Sequence, residues 1–114
     1  MPSPESRTLL WDALRHAEAA QRFTRGKRFE DYLADDLLRS AVERQLEIVG
    51  EALSHLARSD PATAGHVPEL RRIIGFRNIL AHGYESVDDS VVWDVVTVGV
   101  LELRAALQRL IDER

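Results

Sequence analysis

The chain contains no cysteine, few aromatic side chains and no long apolar run. Without cysteine, disulfide bonds, thiol nucleophiles and thiolate metal sites are all excluded. Aromatic residues make up only 6% of the sequence, so a core must be built from leucine, valine, isoleucine and alanine. The longest apolar tract, Val91 to Leu101, contains Asp94 and falls short of the roughly 18 residues that a bilayer requires. No signal peptide is recognisable at the N-terminus either, and we expect a cytoplasmic protein.

Positive charge is also scarce. Lysine and arginine together number 15 against 19 aspartates and glutamates, which gives a net charge of −4. This balance argues against binding nucleic acid through a broad basic face, but it is compatible with a small local phosphate site. With 114 residues, 45% of them hydrophobic and 30% charged, the chain is expected to form a single globular domain spanning residues 1–114.

Apolar residues recur at helical spacing in four segments, and the first two are long. Ser3 is a suitable N-cap for a first helix that starts with Pro4 and stops at Gly26. The second segment covers residues 29–58, and a break near 34–35 is possible because the segment is unusually long for one helix. Gly50 inside it predicts the close approach of another helix, since glycine otherwise weakens a helix interior.

The third and fourth segments complete the expected fold. After a loop over residues 59–65, the third helix is predicted to begin at Pro68 and to stop at Gly83. The fourth is expected to run over residues 90–112, with Asp88 or Asp89 as its cap. The sequence therefore predicts an all-α fold, an antiparallel bundle of about four helices. Because the valine-rich start of the fourth helix is apolar around much of its circumference, we also expect a homodimer formed by helix packing.

The polar chemistry of the chain is concentrated in residues 77–84, RNILAHGY. Arg77 offers a planar fork of donors for a phosphate, and His82 supplies an imidazole, a group that can act as proton donor or acceptor. Asn78 precedes His82 by four residues, so the two share a helix face and the amide could orient the imidazole. Arg77 and His82 are five residues apart, which is about 140° round a helix. They converge on one target only if the arginine reaches round, if the helix ends before His82, or if two copies face each other.

Residues 74–84, IGFRNILAHGY, resemble the signature of HEPN-domain ribonucleases, specifically the HepT-like toxins with an Arg-x4-His-x-Tyr motif. Residues 48–52, IVGEA, resemble the Ile-Gly-Glu-Ala stretch of the second helix in that family. Residues 87–88 and 92–93 resemble the segment that follows the motif. The resemblance extends over about residues 29–110. Two departures lie outside the motif's catalytic positions: Glu69 follows Pro68 where many members have Trp, and Phe76 stands where Met is frequent.

The resemblance implies an α-helical homodimer with a composite, metal-independent site that cleaves RNA and needs no cofactor. Arg77 and His82 are its expected catalytic residues. Asn78 is expected to support them, and so is Glu51, which we interpret as an ion-pair partner that orients Arg77; Glu85 is an alternative partner. The resemblance also implies a cognate minimal nucleotidyltransferase that acts as antitoxin. In some members that partner adds adenylate to the motif tyrosine, which here is Tyr84.

The remaining histidines and tryptophans are expected to be structural, and one alternative function stays open. His16, His55 and His66 lack metal-ligand spacing and are expected to be surface or core imidazoles. Trp11 and Trp93 are expected to anchor the core or an interface. The alternative function is a non-catalytic helical module that docks a nucleotidyltransferase, which the acidic net charge fits equally well.

Overall fold

The computed structural model describes residues 2–83 and 87–113, and every regular element within these ranges is helical. This confirms the all-α prediction. The helices are α1 (Pro4–Thr24), α2 (Phe29–Ala34), α3 (Asp36–Ser59), α4 (Pro61–Ala64), α5 (Leu70–His82), α6 (Asp89–Asp94) and α7 (Val100–Asp112), and a π-helical turn (Val95–Gly99) joins α6 to α7.

The first two predicted segments begin and break at polar caps. The Ser3 hydroxyl accepts a hydrogen bond of 3.1 Å from the backbone N–H of Ser6, and Pro4 opens α1 as expected. Asp35 ends α2 and caps α3, where its carboxylate accepts a hydrogen bond of 3.0 Å from the backbone N–H of Leu38. The break that the sequence allowed near residues 34–35 therefore occurs at Asp35.

The third predicted helix starts later than expected. Glu69 adopts a left-handed backbone conformation with φ of 59°, so α5 begins at Leu70 and not at Pro68. A left-handed residue cannot belong to a right-handed helix, and it turns the chain before α5. The helix then continues through His82 and stops before Gly83, as the glycine predicted.

The segment predicted as a loop contains a short helix whose first turn is held by Asp60. The Asp60 carboxylate accepts hydrogen bonds from the Thr63 hydroxyl at 2.6 Å and from the Ser6 hydroxyl at 2.7 Å. These hydrogen bonds, that of Thr63 first, hold the pKa of the Asp60 carboxyl below its ordinary value. The start of α1 is thereby tied to the end of α3.

The last helical region is one continuous rod, residues 89–112, which we call the C-terminal rod. Asp88 caps it by accepting a hydrogen bond of 2.9 Å from the backbone N–H of Ser90. The valine-rich start is helical, and the backbone stays right-handed through the π-helical turn into α7. This confirms the helical interpretation of a stretch whose composition also suits a strand.

The helices pack in the order α5, α3, α1 and C-terminal rod. Helix α1 runs antiparallel to α3, because its start meets the end of α3 and His16 lies 2.6 Å from the amide oxygen of Gln45. It is also antiparallel to α7, because Arg7 near its start donates a hydrogen bond of 2.6 Å to the carbonyl of Ile111 and Glu18 nearer its end forms an ion pair of 2.9 Å with Arg104. The largest fully buried side chains include Tyr32, Leu10, Leu53, Leu56, Leu107 and Ile111.

The two tryptophans have different environments. The Trp93 ring lies 5.4 Å from that of Tyr32 and 6.1 Å from that of Phe29, so it joins α2 to the C-terminal rod as a core anchor. Trp11 is 50% exposed on α1 and is not a core residue of the single chain. Within residues 2–83 and 87–113, no helix combines the length and apolarity needed to cross a membrane.

Candidate active site

Helix α5 concentrates positive charge in an otherwise acidic chain. It contains Arg71, Arg72 and Arg77 and no acidic residue, whereas the whole chain has a net charge of −4. Phosphate groups are attracted to such a local excess even when the net charge is negative. The charge distribution therefore points to α5 as the element that could meet an anionic ligand.

The stem of Arg77 is seated directly on Gly50 of α3. A Cβ atom added at Gly50 would overlap the Cβ of Arg77 and would lie 2.6 Å from its Cγ. Only glycine leaves room for this contact, which explains why a glycine interrupts an otherwise strong helix pattern. The predicted close approach at Gly50 is confirmed, and the residue that approaches is the motif arginine.

The guanidinium of Arg77 is held from two sides. Its Nη2 lies 3.9 Å from the Oε1 of Glu51, and its Nη1 donates a hydrogen bond of 2.9 Å to the Oδ1 of Asn78. Glu51 is shared, because its Oε1 also lies 3.7 Å from the Nη1 of Arg44. The side chain of Arg77 is 29% exposed, so these contacts are less screened than those of a surface arginine.

The pairing of Glu51 with Arg77 agrees with the sequence-based interpretation. Arg44 was not anticipated as a member of this network. A signal was available, since Arg44, Glu47 and Glu51 follow one another at spacings of three and four residues on one helix face. The structure places Arg44 3.2 Å from Glu47 as well as near Glu51, so α3 presents a small charged cluster to Arg77.

Asn78 contacts the arginine of the motif and not its histidine. The expected orienting hydrogen bond between Asn78 and His82 is absent from the described residues, and the amide oxygen is occupied by Arg77. Asn78 lies one turn before His82 on the same face of α5, however, and both residues are exposed. Asn78 thus draws the guanidinium towards the side of the helix that carries the imidazole.

This contact bears on the three ways in which Arg77 and His82 could converge. Helix α5 includes His82, so the helix does not end before the histidine. The arginine instead reaches round the helix as far as Asn78, which covers part of the 140° separation. A guanidinium so held can bind phosphoryl oxygens, and an exposed imidazole at the helix end can give or take a proton.

Tyr84 and Glu85 fall outside the described residues, so the predicted modification site and the alternative partner of Arg77 have no structural description. The other histidines form no metal cluster, since no three His, Asp or Glu side chains in the described ranges are grouped to hold a metal ion. His16 contacts Gln45, His55 lies 3.9 Å from Glu5, and His66 is exposed.

An apolar groove, which the sequence did not predict, lies beside the motif. It has a volume of about 490 Å³, with α3 as its floor and with α5 and the C-terminal rod as its walls. Ile79, one residue after Asn78, is 42% exposed in this groove, and Val91 on the opposite wall is 45% exposed. The described residues thus combine a polar motif with an adjoining apolar surface that one chain does not cover.

Comparison with known proteins gives a consistent result. Residues 13–110 match the model of the family described as ribonuclease HepT-like. The chain is 33% identical over 101 residues to "Probable ribonuclease HepT" of Thermococcus cleftensis, covering 89% of this chain and 91% of that protein. It is 26% identical over 113 residues to "Putative RNase MJ1216" of Methanocaldococcus jannaschii, covering 99% of this chain and 93% of that protein.

A third relative is "Putative RNase TTE0752" of Caldanaerobacter subterraneus, which is 29% identical over 107 residues, covering 94% of this chain and 95% of that protein. No solved structure matches the chain significantly. The family match extends over most of the chain and includes α5 with Arg77 and His82. The chain therefore belongs to the HepT-like ribonuclease family.

Proposed function

We propose that this protein is an endoribonuclease that cleaves RNA without a metal ion and acts as the toxin of a toxin–antitoxin pair. The 2′-hydroxyl of the substrate loses its proton to a base and attacks the adjacent phosphorus. The bond from phosphorus to the 5′-oxygen breaks, and that oxygen takes up a proton from an acid. The products are a 2′,3′-cyclic phosphate and a 5′-hydroxyl.

His82 serves as the base or the acid in this reaction, a role typically worth about 10²–10⁴ in rate. Arg77 stabilises the negative charge that grows on the phosphoryl oxygens. The observation that carries the proposal is the arrangement of Arg77, whose stem is seated on Gly50 and whose guanidinium is held by Glu51 and Asn78. A guanidinium fixed in advance loses little freedom on binding a phosphate, which favours its use in catalysis.

A homodimer completes the proposed site. The arginine reaches only part of the way round α5, so a second copy of the motif would bring an acid and a base to one phosphate. The exposed apolar residues beside the motif support this arrangement, since Ile79 and Val91 line the groove next to α5. Contiguous exposed apolar surface is typical of a protein–protein interface.

The proposed partner is a minimal nucleotidyltransferase that controls the toxin by transferring adenylate to Tyr84. The chain has two tyrosines, and the other, Tyr32, is completely buried. Burial, with the carboxylates of Glu43 and Asp89 adding to it, raises the pKa of the Tyr32 phenol and leaves it a poor nucleophile. Tyr84 follows the motif histidine by two residues, so an attached adenylate would present a phosphate close to Arg77 and His82.

The decisive test of the nuclease proposal compares the wild-type protein with Arg77→Ala and His82→Ala. Each substitution is expected to abolish toxicity and RNA cleavage while leaving the helical circular dichroism spectrum unchanged, since neither side chain belongs to the buried core. Cleavage by the wild type should persist in EDTA, and end-group analysis should find the cyclic phosphate. Activity at the wild-type level in either variant would refute the mechanism.

The control by adenylylation is tested by mass spectrometry after co-expression with the nucleotidyltransferase. We expect one or more adenylate additions, all mapping to Tyr84. Tyr84→Phe should prevent the addition and keep cleavage. Neutralisation without any addition would instead mean that the partner inhibits by binding alone.

The alternative, a non-catalytic module that docks the nucleotidyltransferase, is supported by the acidic net charge and by the uncovered apolar groove. Expression of the protein alone separates the two functions. Toxicity and RNA degradation that depend on His82 require the nuclease, whereas a docking module alone would be harmless.

A further inference from the structure

A second feature of α5 lies on the face that carries His82. Arg71, Gly75, Asn78 and His82 follow one another at spacings of four, three and four residues, which keeps them within a stripe of about 60° on a regular helix. All four residues are exposed. The stripe, which we call the α5 track, begins with a cation, passes a residue without a side chain and ends at the motif.

Arg71, the cation of the α5 track, differs from the adjacent Arg72 in its ion pairing. Arg72 lies 3.5 Å from Glu69, one position round the helix from Arg71, and it lines the apolar groove, which Gly75 of the track also borders. Arg71 forms no ion pair within the described parts of the chain, and the helix that carries it has no acidic residue. The positive charge of Arg71 is thus available to a ligand on the same side as His82.

Gly75 is the open position of the track, between Arg71 and Asn78. A Cβ atom added at Gly75 would meet no heavy atom within 4 Å, so no packing contact requires glycine there. Glycine in a helix interior costs about 1 kcal/mol relative to alanine. Because Gly75 has no side chain, the backbone surface between the cationic Arg71 and the polar Asn78 is unobstructed.

We propose that the α5 track is a binding subsite for the RNA strand, in which Arg71 binds a backbone phosphate several nucleotides away from the cleaved bond. This inference rests on the proposed ribonuclease function and deepens it. Arg71 and His82 are eleven residues apart, or about 16 Å along the helix axis. A stacked strand advances about 3.4 Å per nucleotide, so the track accommodates up to about five nucleotides.

The chemistry of the track favours the RNA backbone over individual bases. Arginine recognises phosphate through its fork of donors, and a contact to phosphate positions a strand without selecting its sequence. Apart from the imidazole of His82, which we assign to proton transfer, the track has no aromatic side chain on which bases could stack. Arg71 is therefore a residue that determines substrate length and position.

The test measures binding and cleavage separately. Binding of RNA oligonucleotides of two, four, six and ten nucleotides is measured with His82→Ala, with and without Arg71→Ala, at several salt concentrations. Arg71→Ala is expected to weaken binding of the ten-nucleotide RNA about five- to tenfold and to reduce the salt slope by about 0.7, as expected for one lost contact to a single strand. Binding of the dinucleotide should be unchanged, because it cannot reach from His82 to Arg71.

Arg72→Ala is the matched control, since it removes the same charge from the neighbouring position. It should change the binding of the ten-nucleotide RNA less than twofold. In a catalytically competent protein, Arg71→Ala should raise KM for long substrates and leave kcat unchanged. A second pair of variants tests the open position. Gly75→Glu should weaken the binding of long RNA more than Gly75→Gln does, because only glutamate carries a negative charge that repels the phosphates.

The outcomes are distinguishable. Equal effects of Arg71→Ala and Arg72→Ala, or equal effects on RNA of every length, would overturn the track and leave the nuclease proposal intact. If Arg71→Ala changes the binding of none of the RNA oligonucleotides, the track is likewise refuted and the nuclease proposal stands. If the wild-type protein cleaves none of these oligonucleotides, the nuclease proposal fails and the track falls with it.

Discussion

At the scale of the residue, the contact between Gly50 and Arg77 links the fold to the proposed chemistry. Glycine allows α5 to approach α3 so closely that the Arg77 stem lies on the backbone of the partner helix. The next residue, Glu51, then stands near the guanidinium. The stretch that resembles the family's second helix is thus explained physically, because its glycine and its glutamate act on the motif arginine.

Gly50→Ala is therefore expected to impair both stability and cleavage. The added methyl group overlaps the Arg77 stem, and overpacking of this kind typically costs about 1–3 kcal/mol in the free energy of unfolding. Relief by displacement of α5 would also move the guanidinium and lower kcat. Urea unfolding and RNA cleavage check this, and Gly75→Ala, which meets nothing within 4 Å, is the control for stability.

A double-mutant cycle identifies the source of the loss. In the background of Arg77→Gly, the added methyl group at position 50 no longer meets a side chain, and Gly50→Ala should be neutral or slightly stabilising. An equal loss of stability in both backgrounds would contradict the proposed contact.

At the scale of the element, local sequence signals predicted most helix ends. Ser3, Gly83 and Asp88 act where they were expected, because a cap depends on a few neighbouring backbone groups. The start of α5 was missed because Glu69 adopts a left-handed conformation that its side chain does not favour. The short helix α4 was missed because its four residues are too few to show a helical period, although its cap is local: Asp60 accepts a hydrogen bond from the backbone N–H of Thr63.

Helix α3 carries a carboxylate, that of Glu43, in an unfavourable environment. Burial, with the Asp89 carboxylate adding to it, raises the pKa of Glu43 above its ordinary value, although Arg39 acts in the opposite direction. The folded protein thus binds this proton more tightly than the unfolded chain does. Protonated Glu43 therefore contributes to the free energy of unfolding below the ordinary glutamate pKa. This contribution is lost as the pH rises through the raised pKa of the folded state.

Glu43→Gln is accordingly expected to stabilise the protein at neutral pH. The difference in unfolding free energy between the variant and the wild type should shrink as the pH falls below the ordinary glutamate pKa, where the wild-type side chain is protonated in both states. Thermal or urea unfolding across this range provides the measurement. Glu113→Gln, at an exposed position near the C-terminus, should have no such effect. A gain at neutral pH that persists unchanged in acid would assign the effect to packing and not to charge.

At the scale of the whole molecule, the uncovered apolar surface of the C-terminal rod is the main feature that one chain leaves unexplained. Val98 is 67% exposed and Leu101 is 55% exposed, and residues next to them in the chain, Gly99 and Val100, line the groove that adjoins α5. A stable interface buries about 1,000 Å² or more, and apolar side chains of this kind supply its centre. This surface supports the predicted homodimer.

Val98→Asp is expected to shift the protein from dimer to monomer, because the charge would be buried without a partner at the interface. Light scattering coupled to size exclusion measures the mass. If the site is composite, RNA cleavage should decrease when the dimer dissociates. Leu37→Asp is the control, since Leu37 is 80% exposed at the start of α3, roughly 20 Å along the helix from Gly50. A monomeric wild-type protein at micromolar concentration, with full activity, would refute the composite site.

The sequence by itself determined the helical fold, the approximate helix ends and the motif residues, because periodicity, caps and side-chain chemistry are local properties. It also indicated that a helix approaches Gly50 and that Glu51 pairs with Arg77. Only the tertiary structure decided that Arg77 is the residue on Gly50, that Asn78 binds this arginine and not His82, and that a groove separates α5 from the C-terminal rod. These features depend on the distance and rotation between helices, which packing of the whole core fixes and which no single segment encodes.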